Sequence, residues 1–264
     1  KWFDNASTSP SDMNDSAQQE NLQRFISDHL INYGSPALLR TGLNVEDLSD
    51  DFLLVVWKAR VAKLAEAAIS THNLVYKEMD ISWLPELAKL SLNPDGPVRA
   101  KELLLQKGIV LIIEPQIAGL KLDGAAFIVD GIPVIGMSLR RDTIDNFWYT
   151  LHHEVAHVIL HYRMGLALGF YDDGDKQSLD GIEKEADDFA SNLLIPDEIW
   201  RRSTARISKT APPIEKFAKE IGIHPAIVFG RIQRERNNYS VFADKIGRGL
   251  VRKQFIKQGE TINA

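Results

Sequence analysis

The chain has 264 residues, 44% of them hydrophobic and 25% charged, with no Cys and a formal net charge of −5. That composition excludes a chain that is disordered throughout, and the missing Cys excludes a disulfide framework, a thiolate metal site and a cysteine nucleophile. No stretch approaches the ~18 uninterrupted apolar residues of a membrane span, and residues 1–20 lack the apolar core of a secretory signal, so a cytoplasmic protein without a membrane partner is expected.

Residues 1–20, rich in Ser, Asn and Asp, read as a disordered tail. The sequence starts at Lys1 rather than at Met, as a processed product or part of a longer chain would. Residues 21–75 form an N-terminal helical segment, strongest over Phe52–Ile69, where Leu53, Val56, Trp57, Val61, Leu64, Ala65 and Ala68 recur at three- and four-residue steps. Residues 76–264 are assigned to one further domain. Within it, Asp80–Leu92 and Pro97–Lys107 predict two helices, the second closed by Gly108. The period then shortens: Ile109–Glu114 is an apolar β-branched run, and Ala125–Val129 and Pro133–Leu139 flank the hairpin signal Asp130-Gly131, which together predict a small antiparallel sheet. A helix follows from about Asp142 to Met164, with Asp142 and Asp145 placed to cap its first turn. A Gly- and Asp-rich loop covers Gly165–Asp175. Its Asp172, Asp173 and Asp175 miss the spacing of a calcium loop and are expected to be solvated. The next helix, near Leu179–Leu194, is stopped by Pro196, and helices continue to the end.

Charge is uneven along the chain. Residues 1–200 carry 17 Lys and Arg against 31 Asp and Glu, while residues 201–264 carry 14 against 5. A basic end of this kind either meets an acidic partner, nucleic acid included, or packs against the acidic body.

The helix over Asp142–Met164 contains HEVAH, made of His153, Glu154, Val155, Ala156 and His157. At this composition the motif arises by accident in roughly one chain of this length in a hundred, so it is a strong signal. Residues four apart on a helix stack one above the other, which lets both imidazoles converge on one tetrahedral ion, while Glu154 points about 100° round, beside the ion, where it can take a proton from water. Phe147, Leu151, Val155, Val158, Ile159 and Tyr162 give this helix a buried stripe that would hold the ligands rigid. A third ligand is required. The continuation HExxHxxGxxH is excluded, because its Gly and second His positions hold Leu160 and Arg163. His161 lies too far along the same helix to share an ion with His153 and reads either as a second contact layer or as a plain helix-face histidine. In IEKEADDFASNLLIP, the apolar face of Ala186, Phe189, Ala190, Leu193 and Leu194 lies closer to Glu183 than to Glu185, which points toward solvent. Glu183 is therefore the expected third ligand, and Asp187, one turn on, is placed to accept a ligand histidine's ring N–H.

The run GAAFIVDGIPVIGMSLRRDTIDNFWYTLHHEVAHVILH followed by IEKEADDFASNLLIP resembles the ImmA/IrrE family of zinc metallopeptidases, and IGIHPAIVFGRIQRERNNY is similar to the version attached to HigA-like antitoxins. The resemblance spans about residues 80–245. It implies a zincin-like α+β domain with flanking helical segments, Zn²⁺ on His153, His157 and Glu183, and Glu154 as catalytic base. It further implies cytoplasmic, site-specific cleavage of a helix-turn-helix repressor or antitoxin-like regulator. The helix-turn-helix domain that relatives often carry at the N-terminus is not recognisable in residues 1–75. Tyr149, His161 and Tyr162 are candidates for transition-state or substrate contacts, and Pro133–Leu139, if at the sheet edge, for pairing with an extended substrate.

An alternative from another class is an antitoxin or transcriptional regulator of a toxin–antitoxin system, with the peptidase-like fold binding a toxin or DNA. Ala218, Gly222 and Val228 stand at helix-turn-helix spacing and are followed by Arg231, Arg234 and Arg236. The same residues also suit a packed helical hairpin, because Phe229 and Ile232 look like core and the chain is net negative.

Overall fold

The computed structural model describes residues 48–77, 81–166 and 176–257. The expected tail at residues 1–20 and the acidic loop with Asp172, Asp173 and Asp175 lie outside the described residues. In chain order the elements are α1 (Leu48–His72), α2 (Leu84–Lys89) running into a 3-10 turn, α3 (Gly96–Gln106), β1 (Val110–Ile113), β2 (Gly124–Val129), β3 (Ile132–Met137) and α4 (Ile144–His161). A π-helical turn (Tyr162–Leu166) continues α4, and α5 (Lys176–Leu194), α6 (Asp197–Arg202), α7 (Ala211–Ile221), α8 (Pro225–Glu235) and α9 (Arg252–Lys257) follow.

The three strands stand in the order β1-β3-β2. β2 and β3 form the expected antiparallel hairpin, turned by Asp130 (φ 50°) and Gly131 (φ 76°), the pair of positive φ values that the tightest hairpin turn requires. β1, however, joins β3 in parallel, so the sheet is mixed rather than antiparallel throughout. The ten residues between β1 and β2 carry the chain past the place that β3 later fills. β3 is therefore the central strand, buried along its whole length, and cannot be the substrate edge expected of Pro133–Leu139. The free edges are β1 and β2.

Both faces of the sheet are covered, which explains the unbroken apolar run in β1. Val110, Ile112, Phe127, Val129, Ile132 and Val134 point to one face, where Leu54, Trp57, Val61, Ala62 and Ala65 of α1 pack on them. The indole of Trp57 lies over Gly136, where any Cβ would come within 2.6 Å of the ring, and its N–H donates to the carbonyl of Glu114 at 3.1 Å. Leu111, Ile113, Ala126, Ile135 and Met137 point to the other face and share a core with Phe147, Trp148, Leu151, Val155 and Val158 of α4. That core extends through Trp200, Phe217, Phe229, Ile232, Val251 and Phe255, so the basic C-terminal part is packed into the same body.

Asp142 does not cap α4. The N-cap is Thr143, without a side-chain bond, and Asp142 Oδ1 instead accepts the backbone N–H groups of Val251 (3.0 Å) and Arg252 (3.1 Å). The carbonyl of Asp142 accepts the N–H of Gly249, and the N–H of Ile144 donates to Ile246, so the segment leading into α9 is strapped across the start of the motif helix.

Candidate metal centre

α4 runs along the sheet with Leu151, Val155 and Val158 fully buried, which fixes its rotation and turns His153 and His157 toward α5. On α5, Ala186 and Ala190 are both completely buried. Their small side chains allow the close approach that brings α5 within reach of the imidazoles. Glu183, Asp187 and Ser191 then recur at four-residue spacing on the face toward α4. The pairing places Glu183 beside His153 and His157, and Asp187 beside His153 and Tyr149.

Donor atoms converge at one point. The Nε2 atoms of His153 and His157 stand 3.1 Å apart, and the carboxylate of Glu183 lies 3.2 Å from the first and 3.4 Å from the second. Ligand bonds of ~2.0–2.2 Å in a tetrahedral site separate neighbouring donors by about 3.3 Å, so this set fits a small divalent ion. The hydrogen bonds behind the rings agree. Asp187 Oδ1 accepts from Nδ1 of His153 at 2.9 Å, which turns Nε2 toward the cluster. Behind His157, Glu185 Oε2 lies 3.2 Å from Nε2 of His161, and Nδ1 of His161 lies 3.2 Å from Nδ1 of His157. Since a carboxylate only accepts, the relay runs in one direction, from His157 N–H to His161 to Glu185, and again frees Nε2 of His157.

Electrostatics bind the same groups together. Burial works against a charge on His153, but hydrogen bonds to Asp187 and Glu183 and the charges of Glu154 and Glu183 push it up to about 10. Glu183 is held down at about 2 despite burial, by its hydrogen bonds to both histidines. Glu154 is buried beside them, and burial raises it above the usual carboxylate range, while the histidines and the N–H of Ala126 act in the opposite direction. Its carboxylate rests against β2. At Gly124 an added Cβ would lie 2.9 Å from Glu154 Oε1 and 2.8 Å from the Thr150 methyl, so the strand comes this close only because residue 124 has no side chain.

The neighbouring His152 faces away, fully buried, with Nδ1 donating to the carbonyl of Trp148 at 2.7 Å and burial pushing it down to about 4. The hydroxyl of Tyr149 donates to Asp187 at 2.6 Å, and burial pushes it up to about 12. Tyr149 and His161 thus stand behind the donor set. Tyr162 turns to the hairpin, its hydroxyl donating to the carbonyl of Gly131 at 2.9 Å. Glu185, read as solvent-facing, is largely exposed, yet its oxygen ends the His161 relay. Helical phase gave no sign of this, because the partner comes from another helix.

Two of the three arginines expected for a nucleic-acid reading, Arg231 and Arg236, are spent inside the fold. Arg231 donates to the carbonyl of Ile195 and to Asp197 and lies over Trp200, and Arg236 donates to the carbonyls of Arg206 and Ser208. Arg234 stacks on Tyr149. α7 and α8 form the hairpin, turned by Gly222 in the left-handed conformation, and α8 buries Val228, Phe229 and Ile232 in the core shared with α4.

Residues 107–228 match the family model Peptidase_M78, the IrrE N-terminal-like domain. This stretch is similar to the IrrE N-terminal-like domain. It has the α+β, zincin-like architecture expected of such a metallopeptidase-like unit, and it contains the donor set, Glu154 and the groups behind them. Around the IrrE-like domain, α1 packs on its sheet from before the matched stretch, and the strap across α4 comes from after it. No curated protein matches the chain.

Proposed function

We propose that the chain is a zinc-dependent endopeptidase that hydrolyses a peptide bond in a protein substrate, a helix-turn-helix repressor or related regulator, in the cytoplasm. The observation that carries the reading is the convergence of His153, His157 and Glu183 beside a buried glutamate under a sheet edge. The two Nε2 atoms and the Glu183 carboxylate would hold the ion, which when bound supplies Lewis-acid polarisation of the scissile carbonyl and a more acidic water. Glu154, buried beside the donor set, takes the proton of the attacking water and delivers it to the leaving amine. Asp187 and the His161–Glu185 relay fix the orientation of the rings. β2, an edge strand running beside α4, offers its free side to an extended substrate.

The substrate class rests on the resemblance to ImmA/IrrE peptidases. With Arg231 and Arg236 bonded internally, the peptidase reading is preferred to the one in which this fold binds a toxin or DNA. Incubating zinc-loaded protein with candidate repressors and mapping the new termini tests it. Cleavage at one site, absent in Glu154→Gln, is expected; a Glu154→Gln protein that retains every cellular function of the wild type would overturn it.

A further inference from the structure

Beside the donor set lies a cavity of about 270 Å³, whose lining includes His153, Glu154, Tyr149, Asp145, Arg141 and Arg234. The guanidinium of Arg234 is laid flat on the Tyr149 ring, its central carbon 3.4 Å from the ring centroid. Tyr149 is itself held by Asp187, so this cation is oriented by a stack one ring away from His153 (centroids 6.3 Å apart). Arg231 and Arg236 on the same stretch spend their N–H groups on carbonyls and carboxylates, whereas the Arg234 guanidinium makes no hydrogen bond or close ion pair among the described residues and meets Asp145 and Asp187 only through longer-range attraction. A stacked guanidinium keeps the fork of donors along its edge, which matches a carboxylate in two-point contact.

The acidic groups around it make no hydrogen bond to that fork. Asp187 is bonded to His153 and Tyr149, and Asp123 is taken in two-point contact by Arg140 at 3.1 and 3.2 Å and is ion-paired with Arg141 at 3.7 Å. Asp145 sits deeper, against Gly230, with Oδ1 buried and unpartnered.

We propose that Arg234 forms a carboxylate-binding subsite that selects substrates carrying an Asp or Glu side chain within about three residues of the cleaved bond, at ~3.3 Å of extended chain per residue. The inference rests on the peptidase reading but makes a separate demand, on recognition rather than on turnover. Arg234 is exposed and outside the donor set, so its replacement removes no proposed metal ligand, and zinc content measured for each variant separates loss of recognition from loss of the ion.

The test uses a randomised peptide library with amidated C-termini, and a matched one with free C-termini. In the first arm, zinc-loaded wild type, Arg234→Lys, Arg234→Ala and Arg234→Glu digest the libraries, and cut sites are read by mass spectrometry. In the second, zinc-loaded Glu154→Gln protein, with and without Arg234→Glu, retains peptides that are then sequenced. Expected is roughly ten-fold enrichment of Asp or Glu at one fixed position in both arms and both libraries, lost in Arg234→Ala and reversed toward Lys or Arg in Arg234→Glu. Enrichment that Arg234→Glu leaves unchanged, or that appears only with free C-termini, overturns the subsite. Cleavage without acidic preference overturns it while the peptidase stands. Acidic retention without any cleavage overturns the peptidase reading and leaves the subsite. Absence of both overturns both.

Discussion

Glu154 and Gly124 meet at the closest approach between β2 and α4, and each makes a separate demand on the chemistry. Glu154→Gln preserves shape and removes the proton acceptor, so steady-state hydrolysis should fall roughly 10²–10⁴-fold while zinc content stays near that of wild type. Gly124→Ala adds one methyl where 2.8 to 2.9 Å is available, which pushes the strand or the carboxylate aside. A loss of hydrolysis with the helices still folded by circular dichroism is expected; an Ala variant with full activity would show that this contact does not position Glu154. At this scale the convergence of the three donor residues was legible in the sequence, because helical spacing alone brings His153 and His157 to one face and the buried alanines of α5 point Glu183 inward. The tasks of Glu185 and Asp142 were not legible, since each bonds to a segment that only the folded chain brings near.

Two helices hold the donors, and their separation is set by side chains with almost no volume. Ala186 is fully buried, and Ala186→Leu would force α5 away from α4. Overpacking of this kind costs about 1–3 kcal/mol, so a lower melting temperature is expected together with weaker zinc binding in an equilibrium titration. Unchanged zinc affinity would mean that the spacing of the helices does not control the site. Periodicity revealed the motif helix, α5 and the β2–β3 hairpin, since each carries a repeating apolar pattern or a turn signal. It did not reveal the sheet order. A buried run such as Val110–Ile113 reads alike in parallel and antiparallel pairing, and only the placement of the intervening chain decides that β3 is central.

Across the whole molecule, α1 closes the face of the sheet opposite the site and buries Lys58 there, its ammonium 5.1 Å from the Phe127 centroid. Burial pushes this lysine down from 10.5 to about 7. Below about pH 7 it is charged both folded and unfolded, so the full cost of burying the charge applies; between about 7 and 10.5 the unfolded chain binds more protons, and stability rises with pH. Lys58→Met should therefore stabilise the protein by a few kcal/mol at pH 6–7 in denaturant melts, with the gain shrinking toward pH 10. A gain independent of pH would show that Lys58 keeps an ordinary pKa. A bound metal ion would act on the same balance from the other face: an ion that binds only the folded form adds about 2.7 kcal/mol at a hundred times its dissociation constant.

The proposed chemistry requires one ion shared by α4 and α5. An equilibrium zinc titration of metal-free wild type, His157→Ala and Glu183→Ala, read by calorimetry and by metal content after dialysis, addresses it directly. One zinc per chain in the wild type is predicted, with affinity lowered at least a hundred-fold in each variant. Wild-type protein that retains no zinc, or Glu183→Ala that binds it as tightly as wild type, would contradict the account.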